Sequence, residues 1–283
     1  MTSEFDPQAA AAISDDLALL ARLHDREIDA PLIAAMRVQP IENWFALRMN
    51  TPEFDEAARL FEIALNGAPD PLTQEALDEM AVEYAAIYLN HVYRVSPHES
   101  VWVDEDGLER QAPMFRVREW YARFGFRAPD WRRRSDDHIA HEFAFLSQIA
   151  PGLTDREEAT KIADFLRGHP LVWVPDFAGR VARRCQSPFY AGVAVISATY
   201  LRALGDLLER VYGLDLTPIE PATAKSAPAA RTCADPPPRY APGLGCTRSI
   251  CGVHAACMKT GRVLVNMPSS QGAIGDIYNF KLE

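Results

Sequence analysis

Apolar side chains recur at Ile13, Leu17, Leu20 and Leu23, a spacing of three and four that puts them on one helical face over residues 7–26, with acids opposite. Pro31 and Pro40 punctuate the next twenty-odd residues. Thr51-Pro52 supplies a cap and a first-turn proline for a helix over 53–66, with Ala57, Leu60, Phe61 and Ala64 as its stripe and Gly67 as its stop. Asp70-Pro71 repeats that start for a helix to residue 91, turning Leu77, Met80, Tyr84, Ile87 and Tyr88 inward. Helical pattern returns over 115–124, breaks over 125–134 and restarts at Ser135-Asp136, where Ile139, Phe143, Leu146 and Ile149 mark a buried stripe ending at Pro151-Gly152. Helices over 154–167, 170–185 and 188–212 complete the set, the last ended by Gly213. Residues 1–216 contain no sustained two-residue alternation and no glycine-rich phosphate loop. The expected fold is all-α, a single helical-bundle domain of roughly nine or ten helices with an irregular C-terminal extension.

One internal segment departs from this pattern. Residues 96–114 are polar, proline-punctuated and aperiodic, a loop of the length that is more often functional than accidental. Beyond Leu216 the composition turns to Pro, Ala, Ser and Thr, which is linker chemistry, so the division reads as a helical domain over 1–216, a Pro/Ala-rich linker over 217–245 and a cysteine-containing tail over 246–283. Charge divides the same way. The whole chain carries −10, but residues 217–283 hold seven basic and four acidic side chains, which leaves 22 basic and 35 acidic in 1–216. An acidic body argues against a nucleic-acid partner and suits a cationic one. The longest apolar run, 193–200, is far short of the roughly 20 residues that cross a bilayer. The opening MTSEFDPQ is acidic where a secretory signal is basic and then apolar, so the chain reads as cytoplasmic. A single cysteine in the body, Cys185, fits a reducing compartment.

Three constellations carry candidate chemistry. Asp136-Asp137-His138-Ile139-Ala140-His141-Glu142 opens a helix, where an aspartate suits the N-terminal end. His138, His141 and Glu142 stand at i, i+3 and i+4, which offers two imidazoles and a carboxylate to a metal, without the spacing of the zincin helix; the plainer reading is a capped helix start with solvated polar residues. The long loop sets Trp102 close to Asp104, Glu105 and Asp106, an exposed ring that needs a cover unless it plugs the body. A serine-nucleophile reading of Ser100 fails for want of a strand–turn–helix elbow. The linker and tail hold Cys233, Cys246, Cys251 and Cys257 with His254 among them, metal-ligand types at spacings that match no zinc or iron–sulfur pattern. A metal-binding or iron–sulfur redox protein using the 138/141/142 cluster or Cys246, Cys251 and Cys257 is therefore the alternative to a binding protein.

In order along the chain, Glu83-Tyr84-x3-Tyr88-Leu89, Ser96-Pro97-His98-Glu99-Ser100-Val101-Trp102, Val117-Arg118-x2-Tyr121-x3-Gly125-Phe126 and Asp137-His138-Ile139-x2-Glu142-Phe143-x-Phe145-Leu146 resemble the TorD/DmsD family of chaperones for molybdenum-dependent oxidoreductases. His169-Pro170-Leu171-x-Trp173 and Pro188-Phe189-Tyr190 are similar to its C-terminal helices, so the likeness spans roughly residues 10–212 and leaves the tail aside. The resemblance implies an all-helical, non-enzymatic protein of the cytoplasm. Its client is the apo form of a molybdopterin oxidoreductase subunit, bound through a twin-arginine signal peptide so that export waits for cofactor insertion. It also implies a monomer or domain-swapped homodimer, and no tightly bound cofactor, only transient molybdopterin cofactor or guanine nucleotide. The family implicates the Asp-His pair of the hinge, here Asp137-His138, in signal-peptide binding; where the family usually has Pro before that pair, this chain has Asp136.

Such a peptide needs carboxylates for its guanidinium groups and an apolar groove for its hydrophobic stretch. Asp104, Glu105, Asp106, Asp136 and Asp137 are the expected acceptors, with Glu142 and Ser100 beside them, and Tyr84, Tyr88, Trp102 and Trp173 are the expected apolar walls. His138, with an ordinary pKa near about 6.5, makes that binding pH-sensitive on this reading.

Overall fold

Asp6, Asp29, Thr51, Thr73, Asp155 and Ser187 each accept a hydrogen bond from a backbone N–H in the first turn of the adjoining helix, so polar caps set most of the helix starts. The computed structural model describes residues 5–219. The helices there are α1 (Pro7–Asp25), α2 (Ala30–Arg37), α3 (Pro52–Gly67), α4 (Gln74–Tyr88), α5 (Glu99–Val103), α6 (Ala112–Arg123), α7 (Ile139–Ile149), α8 (Arg156–Gly168), α9 (Pro170–Arg184) and α10 (Pro188–Tyr212). Short 3-10 turns cover Ile41–Asn43 and Ala150–Thr154, and no β-strand occurs among the described residues. The all-α expectation and its helix number hold. The linker beyond residue 219, the tail and its Cys233, Cys246, Cys251 and Cys257 lie outside the described residues.

The core is built around α10, which packs on α3 and α9, while α1 packs on α7. At 25 residues α10 is long and apolar enough to cross a membrane by length and composition, which the shorter run at 193–200 did not suggest; 83% of its apolar window is already buried inside the fold. α10 comes close to α3 at Gly192, where an added Cβ would stand 3.2 Å from the Phe61 ring. Gly213 then adopts φ +65° and stops the helix, as its position predicted.

Buried polar groups tie the layers together. Asp16 of α1 accepts from the backbone N–H groups of Ala46 and Leu47 and from the Tyr200 hydroxyl, and burial pushes its pKa up to about 7. His24, at the end of α1, lies between Tyr88 of α4 and Ser197 of α10. The Ser197 hydroxyl donates to the Val193 carbonyl, so it accepts from His24 Nε2–H, and Nδ1 must accept from the Tyr88 hydroxyl. Burial lowers the His24 pKa to about 3 and keeps this ring neutral.

Three boundaries differ from the periodicity. The helix expected from Asp70-Pro71 begins at Gln74, because Thr73 caps it. The long loop 96–114 contains α5 and the first turn of α6, a helix too short to show a period. The helix expected from Ser135 starts at Ile139, and its cap is His138 rather than an aspartate, with Nδ1 accepting from Ala140 N–H.

Candidate functional site

Backbone hydrogen bonds from Glu99 N to Asp137 O (2.9 Å) and from Ile139 N to Pro97 O (2.8 Å) clamp residues 97–99 against 137–139. Side chains complete the seam. Asp137 accepts from Ser100 N (2.8 Å) and the Ser100 hydroxyl through Oδ2, and from the Ser135 hydroxyl through Oδ1. It thereby caps α5 from a distant part of the chain. Asp136 Oδ2 accepts from both Nε (2.7 Å) and Nη2 (2.6 Å) of Arg118, and the Asp136 carbonyl accepts from Tyr121. Glu99 pairs with His169 Nδ1 at 2.9 Å.

The motif that drew attention in the sequence is therefore sealed. Ser100, Asp137 and Glu142 are fully buried, and Asp136, His138 and His141 are nearly so. This corrects the reading of Asp136 and Asp137 as acceptors for a peptide's arginines: both are buried, Asp137 uses both oxygens within the fold, and Asp136 already holds Arg118. His138 is not a pH sensor either, since burial, with His98 as the next cause, holds its pKa well below the ordinary histidine value. Glu142 lies beside Glu99 and Asp137, and burial first, then those two carboxylates, pushes its pKa well up, so it stays protonated while its Oε2 accepts from Trp173 Nε1 at 3.2 Å. The metal reading of His138, His141 and Glu142 also gives way. Among the described residues no three His, Cys, Asp or Glu side chains group to hold a metal ion.

The four aromatic candidates do come together, as core. Tyr84 and Tyr88 stack at 4.6 Å, Tyr88 and Trp102 both meet Phe177, and Trp173 is fully buried against Phe177. Trp102 alone is half-buried. Its indole N–H donates to Ser96 O and its outer face is covered by the Arg180 guanidinium at 4.3 Å, so the protein itself supplies the cover. Asp104, Glu105 and Asp106 form a turn at the surface after α5.

An open apolar groove lies elsewhere. Between α3, α4 and the α9–α10 junction is a cavity of about 1060 Å³. Its apolar surface comes from Ile33, Ile63, Ala64, Leu65, Met80, Val82, Pro188 and Phe189, and its polar surface includes Glu75, Asp78, Glu79 and Glu83 with no Lys, Arg or His. Ile63 and Val82 are 44% and 67% exposed, large apolar groups left uncovered. Glu83 accepts from Tyr93 and from the backbone of Gln186 and Ser187, so it holds the groove wall, and Asp78 accepts from Gln74. Glu75 and Glu79 are exposed and make no ion pair or hydrogen bond among the described residues. A second, smaller cavity of about 510 Å³ adjoins it through Gln74 and Asp78 and is bordered by Asp25, Glu27, Asp29 and Tyr84. Sequence reasoning missed this groove. The available signal was the outer face of α4, where Glu75, Asp78, Glu79 and Val82 share one arc at i, i+3, i+4 and i+7.

The family described as nitrate reductase delta subunit matches residues 48–179, which span α3 to α9. Chaperone protein TorD of Vibrio parahaemolyticus is 24% identical over 147 residues, 49% of this chain and 67% of that protein. The TorD of Vibrio cholerae O395 is 25% identical over 161 residues, 53% of this chain and 72% of the relative, and that of Shewanella loihica is 22% identical over 189, covering 65% and 86%. A 25-residue stretch, 9% of this chain, is 72% identical to 3% of the Escherichia coli bifunctional aldehyde-alcohol dehydrogenase AdhE, too small a part to carry that enzyme's activity. With its all-helical body and named chaperones as relatives over about half to two-thirds of its length, the chain is similar to the TorD chaperones.

Proposed function

We propose that the chain acts in the cytoplasm on the apo form of a molybdopterin-dependent oxidoreductase subunit, holding its twin-arginine signal peptide until the cofactor is inserted. The observation that carries this reading is the groove between α3 and α4: an open apolar channel whose charged groups are all carboxylates. A twin-arginine leader is the complementary object, a basic segment followed by an apolar one. Ile63, Met80 and Val82 would take the apolar stretch, and Glu75 and Glu79, unpaired in the free protein, would receive the guanidinium groups as charge-assisted hydrogen bonds. The acidic body adds long-range attraction and speeds encounter. On this reading the protein performs no turnover and keeps no cofactor; the molybdopterin cofactor or a guanine nucleotide is met only in passing during loading. It works as a monomer or a swapped dimer.

Isothermal titration of the full chain with synthetic twin-arginine leaders tests the reading. Binding should be saturable, weaken with salt, and fall about tenfold in E75Q/E79Q, the worth of two partly exposed charged hydrogen bonds. Absence of binding at low salt across several leaders would overturn it.

A further inference from the structure

One face of this acidic body carries the opposite charge. Residues 115–134 contain seven arginines against Glu119 and Asp130. Two of the seven serve the fold: Arg118 holds Asp136 and Arg134 holds Asp25. The other five, Arg116, Arg123, Arg127, Arg132 and Arg133, are exposed and make no ion pair among the described residues. Phe115 is 53% exposed and Trp131 is 61% exposed on the same stretch. Neither ring is needed for the core. The buried side of α6 is Met114, Val117 and Tyr121, and Phe115, Arg116 and Arg123 lie on the arc opposite. Trp131 sits in a turn closed by Arg133 and Arg134 N–H groups on the Asp130 carbonyl, with the Arg132 guanidinium 5.3 Å above its ring.

We propose that this face, the outer side of α6 and the loop over 127–133, docks the protein on an anionic lipid surface. Exposed aromatic rings settle at the level of lipid headgroups, and guanidinium groups beside them reach the phosphates, so one surface uses both halves of the patch. Nucleic acid is a poorer match, because the chain as a whole carries −10 and a long polyanion meets more than the patch. A headgroup plane meets the patch alone, since charges beyond a Debye length of about 8 Å are screened at physiological salt. The groove belongs to α3, α4 and the α9–α10 junction and shares no residue with this face, so a loaded chaperone can dock.

Co-sedimentation of the full chain with vesicles of phosphatidylglycerol and phosphatidylcholine, against pure phosphatidylcholine, tests the proposal. Binding should require the anionic lipid and disappear at high salt. Each basic residue at the surface is worth roughly fivefold in partitioning, so R132A/R133A should lower it about 25-fold with an unchanged melting temperature, and W131A should lower it as well. Three results would overturn the proposal: no sedimentation at low salt, equal binding to the neutral vesicles, or R132A/R133A binding like the wild type, which would place the lipid contact on another surface. Capture of soluble polyglutamate in place of vesicles would also overturn it, in favour of an acidic protein partner.

Discussion

Replacing Asp137 by alanine separates two roles that one sequence position had suggested together. The wild-type carboxylate accepts three hydrogen bonds in a site with no solvent exposure, one from a backbone N–H and two from serine hydroxyls. Hydrogen bonds to a charged acceptor contribute about 1.5 to 3 kcal/mol each, and a buried donor left unpaired adds its own cost. Two corrections reduce the sum. The serine hydroxyls can turn to other acceptors, and removing the charge relieves the repulsion that helps keep Glu142 protonated. The net loss expected for D137A is about 3 to 5 kcal/mol, a fall in Tm of roughly 10 °C for a body of this size. The assay is a pair of measurements on the same preparation: thermal unfolding, and leader titration well below the melting range. D137A should melt early yet bind the leader within about twofold of wild type, whereas E75Q/E79Q should melt normally and bind weakly. A D137A protein that melts with the wild type but no longer binds the leader would refute the reasoning and return Asp137 to the binding surface.

Stability should also vary with pH in a defined way. His24 and His141 have folded pKa values of about 3 and about 4, and His138 is also held low, so each contributes stability above the unfolded value of 6.5 that is lost as pH falls. Asp16, raised to about 7, and Glu142, raised by burial and its neighbours, act the other way, contributing below the unfolded carboxylate range and losing stability as pH rises through their folded values. Between pH 5 and 6 the unfolded chain gains three protons on the histidines and loses two from the carboxylates, so stability should rise with pH by about 1 kcal/mol per unit, and it should decline above pH 7. Urea unfolding across pH 5–8 checks this; a flat profile would contradict it. Trp173→Phe removes the donor to Glu142 Oε2 while keeping most of the ring, and should cost about 1 to 2 kcal/mol by the same unfolding measurement, with no change in leader affinity.

The bundle was readable because its helices are long and amphipathic: stripes such as Leu17–Leu20 and Phe143–Leu146 are core, and the cap Thr51 bonds as its position suggests. Where the reading slipped, local signals competed. Asp70-Pro71 looks like a helix start, but Thr73 is an equally good cap three residues on and wins. α5 has five residues, too few for periodicity, and is stabilised by Asp137 across 37 positions of sequence, a contact no local window contains. The candidate site was misplaced for a related reason. Asp137, His138 and Glu142 are polar residues in an apolar stretch, which marks them as constrained without saying whether the constraint is a ligand or a fold contact. Glu75 and Glu79 are acids on an exposed helix face, indistinguishable in sequence from ordinary solvated charge until the exposed Ile63 of α3 is seen lining the same groove.

The aromatic pair chosen from the sequence still bears on the groove, through the helix that carries both. Tyr84 and Tyr88 are on the inner face of α4, while Glu75, Glu79 and Val82 are on its outer face. The Tyr84 hydroxyl donates to the Asp25 carbonyl at 2.6 Å, fixing α4 to the end of α1. The Tyr88 hydroxyl donates to His24, which in turn donates to Ser197 of α10, fixing the same helix to the central one. Glu83, one residue before Tyr84, accepts from the backbone at the start of α10 and closes the third side. A rigid wall costs less ordering entropy when a flexible leader binds. The inner tyrosines therefore act on peptide binding by holding α4 in place, and the carboxylates opposite them act by contact.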